Sequence, residues 1–146
     1  MFAPEEEVEV PKDDDGNPYG PNGLSISAND LCKIGLLFIN KGKWDGKQIL
    51  DNKLINELLK KRITEKELKN DIRFKNNDTG YGYLWWHHNN LNFAFGFLGQ
   101  YLIIDIKKKI VAVRLIESKW GNKKFDEEAN KSNIYFNNLK NLIEKF

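Results

Sequence analysis

The 146-residue sequence holds one cysteine, Cys32, so no internal disulfide can form and the redox compartment is left open. No apolar run approaches the ~18 residues that a membrane span requires. Met1 is followed by Phe-Ala-Pro and then acids, which is no signal peptide. As the chain stands it is expected in the cytoplasm, with export left open for a longer precursor. It also lacks a basic stripe with interleaved aromatics: its lysines are scattered among asparagines, so no nucleic-acid partner is expected. His87 and His88 are adjacent, and neighbours on a strand point to opposite faces, so they cannot chelate together. With no spaced Cys or His elsewhere, neither a metal nor a cofactor is expected.

What remains is the composition of a globular protein, 40% apolar and 30% charged, of a size for one domain. The charge is unevenly placed. Residues 1–15 carry seven acids against one base, Lys12, so the total of +2 conceals an excess of +8 on the rest of the chain. Residues 1–23 read as an acidic leader and an irregular loop, because Asp13–Gly23 is dense in turn formers. Such a beginning suits the interior of a longer chain, and residues 24–146 form the folded portion.

The folded portion is organised around Asn92–Ile116. Tyr101–Ile106 and Ile110–Ile116 are apolar, β-branched and aromatic runs, and the charged connector Lys107–Lys109 is short enough to join them as an antiparallel hairpin. A third strand, Asn92–Phe97, precedes them across the Gly99–Gln100 corner. The apolar run Tyr101–Ile106 implies helices on both faces. Tyr81–Trp86 is a further, aromatic strand. The fold class is therefore α+β, an antiparallel sheet covered by helices.

Ser27 and Asp30 form a capping pair for a helix with Leu31, Ile34, Gly35, Phe38 and Ile39 on one face and Asn40-Lys41-Gly42 as its stop. Cys32 lies within that helix and reads as inert packing. Asp45-Gly46 marks a tight turn. A second helix starts at Asp51, with Leu54, Ile55, Leu58 and Leu59 as its stripe, and residues 64–79 read as a helical end and a surface loop. Phe125–Phe146 repeats apolar residues at helical spacing. One imidazole of the His pair is expected packed and one exposed, and Asp105 and Glu117 serve solubility at strand ends. Gly96, inside a strand pattern, signals a kink or a close approach to backbone.

Several stretches in order resemble the serine β-lactamase and penicillin-binding-protein family, in its class C and esterase-like branch. They are Gly23–Leu31, Gly35-Leu36-Leu37, Gly42–Leu50, Tyr81–Trp86 and Phe93–Gln100, then the paired strands and the last helix. That branch includes DD-peptidases, esterases and an amide hydrolase acting on nylon oligomers. The resemblance implies the C-terminal part of an α/β sandwich in which a serine attacks the acyl carbon of an ester, amide or β-lactam.

No serine here has a lysine three residues later, so the Ser-x-x-Lys that carries the family's nucleophile is absent from the chain. Tyr135-Phe136-Asn137 spells the second motif, Tyr-x-Asn, but on the terminal helix, as a chance match. The third motif, Lys-Thr-Gly or His-x-Gly, aligns with Ala94-Phe95-Gly96 and lacks the cation. That departure argues against penicillin-type carboxylate recognition. The resemblance assigns the Phe97 backbone N–H to half of an oxyanion hole. Phe95, Gly96, Trp85 and Trp86 then become substrate-binding candidates, with the Gly20–Leu24 loop nearby. It implies a small-molecule acyl substrate for the full protein. By itself the chain is expected to be inactive, and to self-associate or pair with the missing N-terminal part. The alternative is a non-catalytic binding or structural remnant of the same fold.

Overall fold

The local signals around Ser27 fold as their chemistry requires. The structure, a computed structural model, describes residues 10–18, 23–64, 67, 79–116 and 131–146. Helix α1 (Ala28–Ile39) starts where the Asp30 N–H donates to Ser27 Oγ at 3.1 Å and the Ser27 hydroxyl donates to Asp30 Oδ2 at 2.7 Å. Lys33 also bonds Asp30, and its hydrogen bond, then that of Ser27, holds the carboxyl below its ordinary range. The helix stops at Gly42, whose φ is +82° and whose N–H reaches Leu37 O at 2.8 Å.

Asp45 and Gly46, at φ +46° and +73°, then turn the short hairpin β1 (Lys43–Trp44) and β2 (Lys47–Gln48). Helix α2 (Asn52–Leu58) is capped by Asp51, which accepts the Lys53 N–H at 2.7 Å. Of its expected stripe, Ile55 is buried and Leu54 is not; a seven-residue helix has room for only a narrow contact.

Six strands follow: β3 (Ile63–Thr64), β4 (Thr79–Gly82), β5 (Trp85–His88), β6 (Leu91–Gly96), β7 (Gln100–Asp105) and β8 (Ile110–Arg114). They pair antiparallel in chain order, a meander. The three C-terminal strands fall where the apolar runs place them, within two residues at each boundary. The aromatic stretch does not. Tyr81–Trp86 is two strands and a turn, because Tyr83 and Leu84 both adopt left-handed conformations at φ +47° and +68°. Such two-residue turns usually use Asn or Gly, and Tyr-Leu carries no such signal. Residues 64 and 79, expected in a helical end and loop, are strand termini, and most residues between them lie outside those described.

Alternation along β7 assigns its side chains to two layers. Tyr101 and Ile103 join Leu91, Phe93, Phe136 and Ile143 beneath helix α3 (Ser132–Glu144). Leu102 and Ile104 join Phe38, Ile55 and Trp85 beneath α1 and α2. Helices thus cover both faces, as the apolar run requires, and each fully buried side chain of this kind contributes about 1.5–3 kcal/mol. Burial pushes the Tyr101 phenol well above its ordinary range, against the smaller opposing influence of Arg114. Residues 125–130 of the expected last helix, and Glu117, lie outside the described residues.

Two polar expectations are corrected. His87 and His88 are both buried, at 5% exposure each, because β5 has a strand on either side and a covered surface on both faces. His88 meets Phe136 edge-on at 5.9 Å. Asp105 is also buried; it accepts the Lys108 N–H at 2.8 Å and so shapes the β7–β8 turn instead of facing solvent.

Lys108 does a second task. Its Nζ donates to Ile143 O at 3.0 Å and to Glu144 O at 3.4 Å, so a cation closes the C-terminus of α3 where orphan carbonyls collect. Lys108→Met, which keeps most of the stem, is expected to lower stability by about 0.5–1 kcal/mol in urea unfolding. Lys107→Met should change it by less than half as much.

Candidate functional site

Gly96 ends the central strand β6 and pairs with Gln100, which begins β7. Its φ of −105° is ordinary, so backbone freedom does not explain the glycine. Close approach does: a Cβ there would stand 3.3 Å from Gln100 Cβ. Phe97–Gly99 then form a tight 3-10 turn in which Leu98 is left-handed, at φ +64°, and nonetheless buried. A non-glycine residue held in this region stores strain that the surroundings must offset.

The offset comes from across the sheet. Arg114 Nη1, at the end of β8, donates to Leu98 O at 3.1 Å and to Gly99 O at 2.7 Å. Its guanidinium lies 3.5 Å from the centre of the Tyr135 ring on α3. A planar cation between an aromatic face and two carbonyls fixes the turn from outside. Phe97, the residue entering that turn, is 58% exposed.

The five sequence-derived candidates do not converge. Phe95 stacks on Tyr101 at 5.1 Å and belongs to the α3 layer. Trp86 is half-buried in the same layer against Tyr81, with ring centres 4.6 Å apart. Trp85 is buried in the opposite layer against Phe38 at 4.9 Å. Gly96 and Phe97 stand at the open end of the sheet, and Trp85 begins β5 at that end with its ring in the α1 layer. Of the Gly20–Leu24 loop, 23–24 are described; Gly23 faces Pro11 and Leu24 is exposed.

What the meander does bring to that end is the β4–β5 turn, whose Tyr83 and Leu84 are 56% and 58% exposed. Arg62 lies over the Tyr83 ring at 5.0 Å. Neither this turn nor the Arg114 clamp emerged from the sequence. The available signal for the clamp was an arginine inside the apolar run Ile110–Ile116, since a charge there needs a partner.

Chemically, this end offers strand-terminal backbone groups beside exposed aromatic and aliphatic side chains. Ser27 is engaged as a helix cap. Among the described residues no group of three His, Cys, Asp or Glu could hold a metal ion, and no helix is long and apolar enough to cross a membrane.

This α+β arrangement, an antiparallel meander between helical layers, is the β-lactamase and penicillin-binding-protein-like fold. A solved structure from Bacillus anthracis, described as a 6-aminohexanoate-dimer hydrolase, matches with a TM-score of 0.59 and 24% sequence identity. The match covers 94% of this chain and 34% of that one, so the chain spans about a third of that protein's length. At this identity the likeness is one of fold. No protein-family model matches the chain, and no curated protein sequence matches it.

Proposed function

We propose that the chain is the C-terminal portion of a β-lactamase-like serine hydrolase, with residues 24–146 forming that portion. In this reading the nucleophile is supplied from outside the chain. A serine hydroxyl attacks the acyl carbon, the leaving group departs, and water then hydrolyses the acyl-enzyme. The Phe97 N–H stabilises the oxyanion of both tetrahedral intermediates, and the residue bearing the serine supplies the second donor. Gly96 leaves room for the acyl group against the strand end, while Phe95 and the tryptophans shape the sheet behind it.

The observation that carries this reading is the fold likeness across nearly the whole chain, together with a clamped turn at the strand end where the resemblance puts the oxyanion donor. Ala94 stands where the resemblance puts the lysine or histidine that would meet a penicillin carboxylate. An ester or amide suits it better than a penicillin, and the fold neighbour's description names a 6-aminohexanoate dimer.

A second reading, a non-catalytic remnant of the fold, is favoured by one observation: no serine in the sequence is followed at the third position by lysine. The reading of the DNA immediately upstream of Met1 separates the two. An in-frame Ser-x-x-Lys supports the hydrolase portion, and a ribosome-binding site with none supports the remnant.

The isolated chain is expected to hydrolyse neither activated esters nor β-lactams above background. A serine-reactive fluorophosphonate should leave it unlabelled in intact-mass spectrometry. Stoichiometric labelling of any serine would sink the proposal, because the nucleophile would then lie within the chain.

A further inference from the structure

We infer that Arg114 and Tyr135 are positioning residues for the Phe97 N–H, so that the last helix sets the geometry of the oxyanion donor. The hold on the turn stands on contacts within the chain; its catalytic consequence rests on the hydrolase reading.

The turn that carries Phe97 is strained. Leu98 and Gly99 are consecutive left-handed residues, at φ +64° and +71°, and only the second is a glycine. Leucine enters that region at a cost, so the unsupported turn favours a relaxed form with Leu98 at negative φ. That change rotates the peptide between Phe97 and Leu98, and with it the backbone that aims the Phe97 N–H. A misplacement of about 1 Å in such a group can cost about a hundredfold in rate.

Arg114 opposes the relaxed form. It pairs with Tyr101, the second residue of β7, and cross-strand partners share a face, so its side chain enters the α3 layer. One nitrogen, Nη1, reaches both the Leu98 and the Gly99 carbonyl, so the two oxygens face the same side. Relaxation at Leu98 turns them apart and breaks that pair of bonds. Tyr135 completes the support, because its ring centre lies 3.5 Å from the guanidinium carbon while the N–H bonds point at the turn. A lysine has no plane to lay on the ring while it bonds two carbonyls.

Docking of α3 does not depend on this pair. Phe136 and Ile143 are buried beneath the helix, and Lys108 closes its C-terminal end. The helix also packs directly on the Phe97–Gly99 turn. What the cation adds at that end is the direction of the backbone.

Amide NMR of the chain tests the hold on the turn. In Arg114→Met the Phe97, Leu98 and Gly99 resonances should shift and broaden or double, while those of Phe136 and Ile143 stay in place. The catalytic consequence is read in the complete hydrolase, with p-nitrophenyl butyrate as the probe. Arg114→Met should lower kcat about 10–100-fold with KM within about twofold, because a misaimed donor is missed in the transition state alone. Arg114→Lys should recover little of the loss, and Tyr135→Phe, which keeps the ring, should stay near wild type. Lys108→Met loosens the same helix at its other end and should leave kcat unchanged, which separates aim from stability. Unchanged turn resonances in Arg114→Met overturn the inference. So does a retained kcat in that variant when the wild-type enzyme is active. A complete wild-type protein without esterase activity sinks the hydrolase reading instead, and the catalytic consequence with it.

Discussion

Gly42→Ala is expected to destabilise the protein by about 3 kcal/mol, lowering Tm by roughly 6–12 °C for a chain of this size. Two effects add at this position. The φ of +82° costs any L side chain about 1–2 kcal/mol. A Cβ would also overlap the Leu50 carbonyl oxygen, which is main chain and has little freedom to retreat. The Ile49 and Leu50 N–H groups both donate to Gly42 O, at 2.8 and 3.1 Å, and tie that segment in place. Overpacking of this kind adds about 1–3 kcal/mol.

Gly46→Ala is the control. Gly46 has a similar φ of +73°, but a Cβ there meets nothing within 4 Å. It should cost only the conformational part, about 1–2 kcal/mol. Equal losses in thermal unfolding would show that the crowding at Leu50 is absent.

The second large effect belongs to the complete hydrolase of the proposal. Phe97→Pro removes the backbone N–H assigned to the oxyanion and is expected to lower kcat about 10²–10³-fold. Proline also perturbs the strand end, so Gly96→Val serves as the complement: it retains the donor and fills the space for the acyl group. A Cβ at 96 presses on Gln100, so Gly96→Val in a Gln100→Ala background separates internal crowding from a blocked substrate. Should both variants fold and keep wild-type turnover, the site lies elsewhere and Gly96 serves only its pairing with Gln100.

Features written in neighbouring residues were legible. Ser27 with Asp30, Asp45 with Gly46, and the β-branched runs on either side of Lys107–Lys109 each act within a few residues, so spacing alone locates them. Features that depend on distant chain were not. Arg114 holds a turn 16 residues upstream and rests on a ring from another helix, and no local pattern encodes that. Asp105 reads as a surface acid until the lysine of its own turn is seen to reach α3. Trp85 and Trp86 look like a single aromatic patch in sequence, but strand alternation sends them to opposite layers. Tyr83–Leu84 was missed because the two-residue turn imposed by pairing Gly82 with Trp85 carries none of the Asn or Gly that signals such a turn.

The meander has a kinetic side. Between β4 and β8 each strand meets its partner across a connection of two to four residues, so closing each pair sacrifices little chain entropy. Helix α1 is different, because Gly35 meets Val111 across more than half of the chain. Contacts of such separation form late unless other structure has already drawn their ends together. Four hairpins can zip in succession without waiting for one another. The layer made by α1 must wait for the last of them, since the surface it lands on exists only once β7 and β8 are side by side.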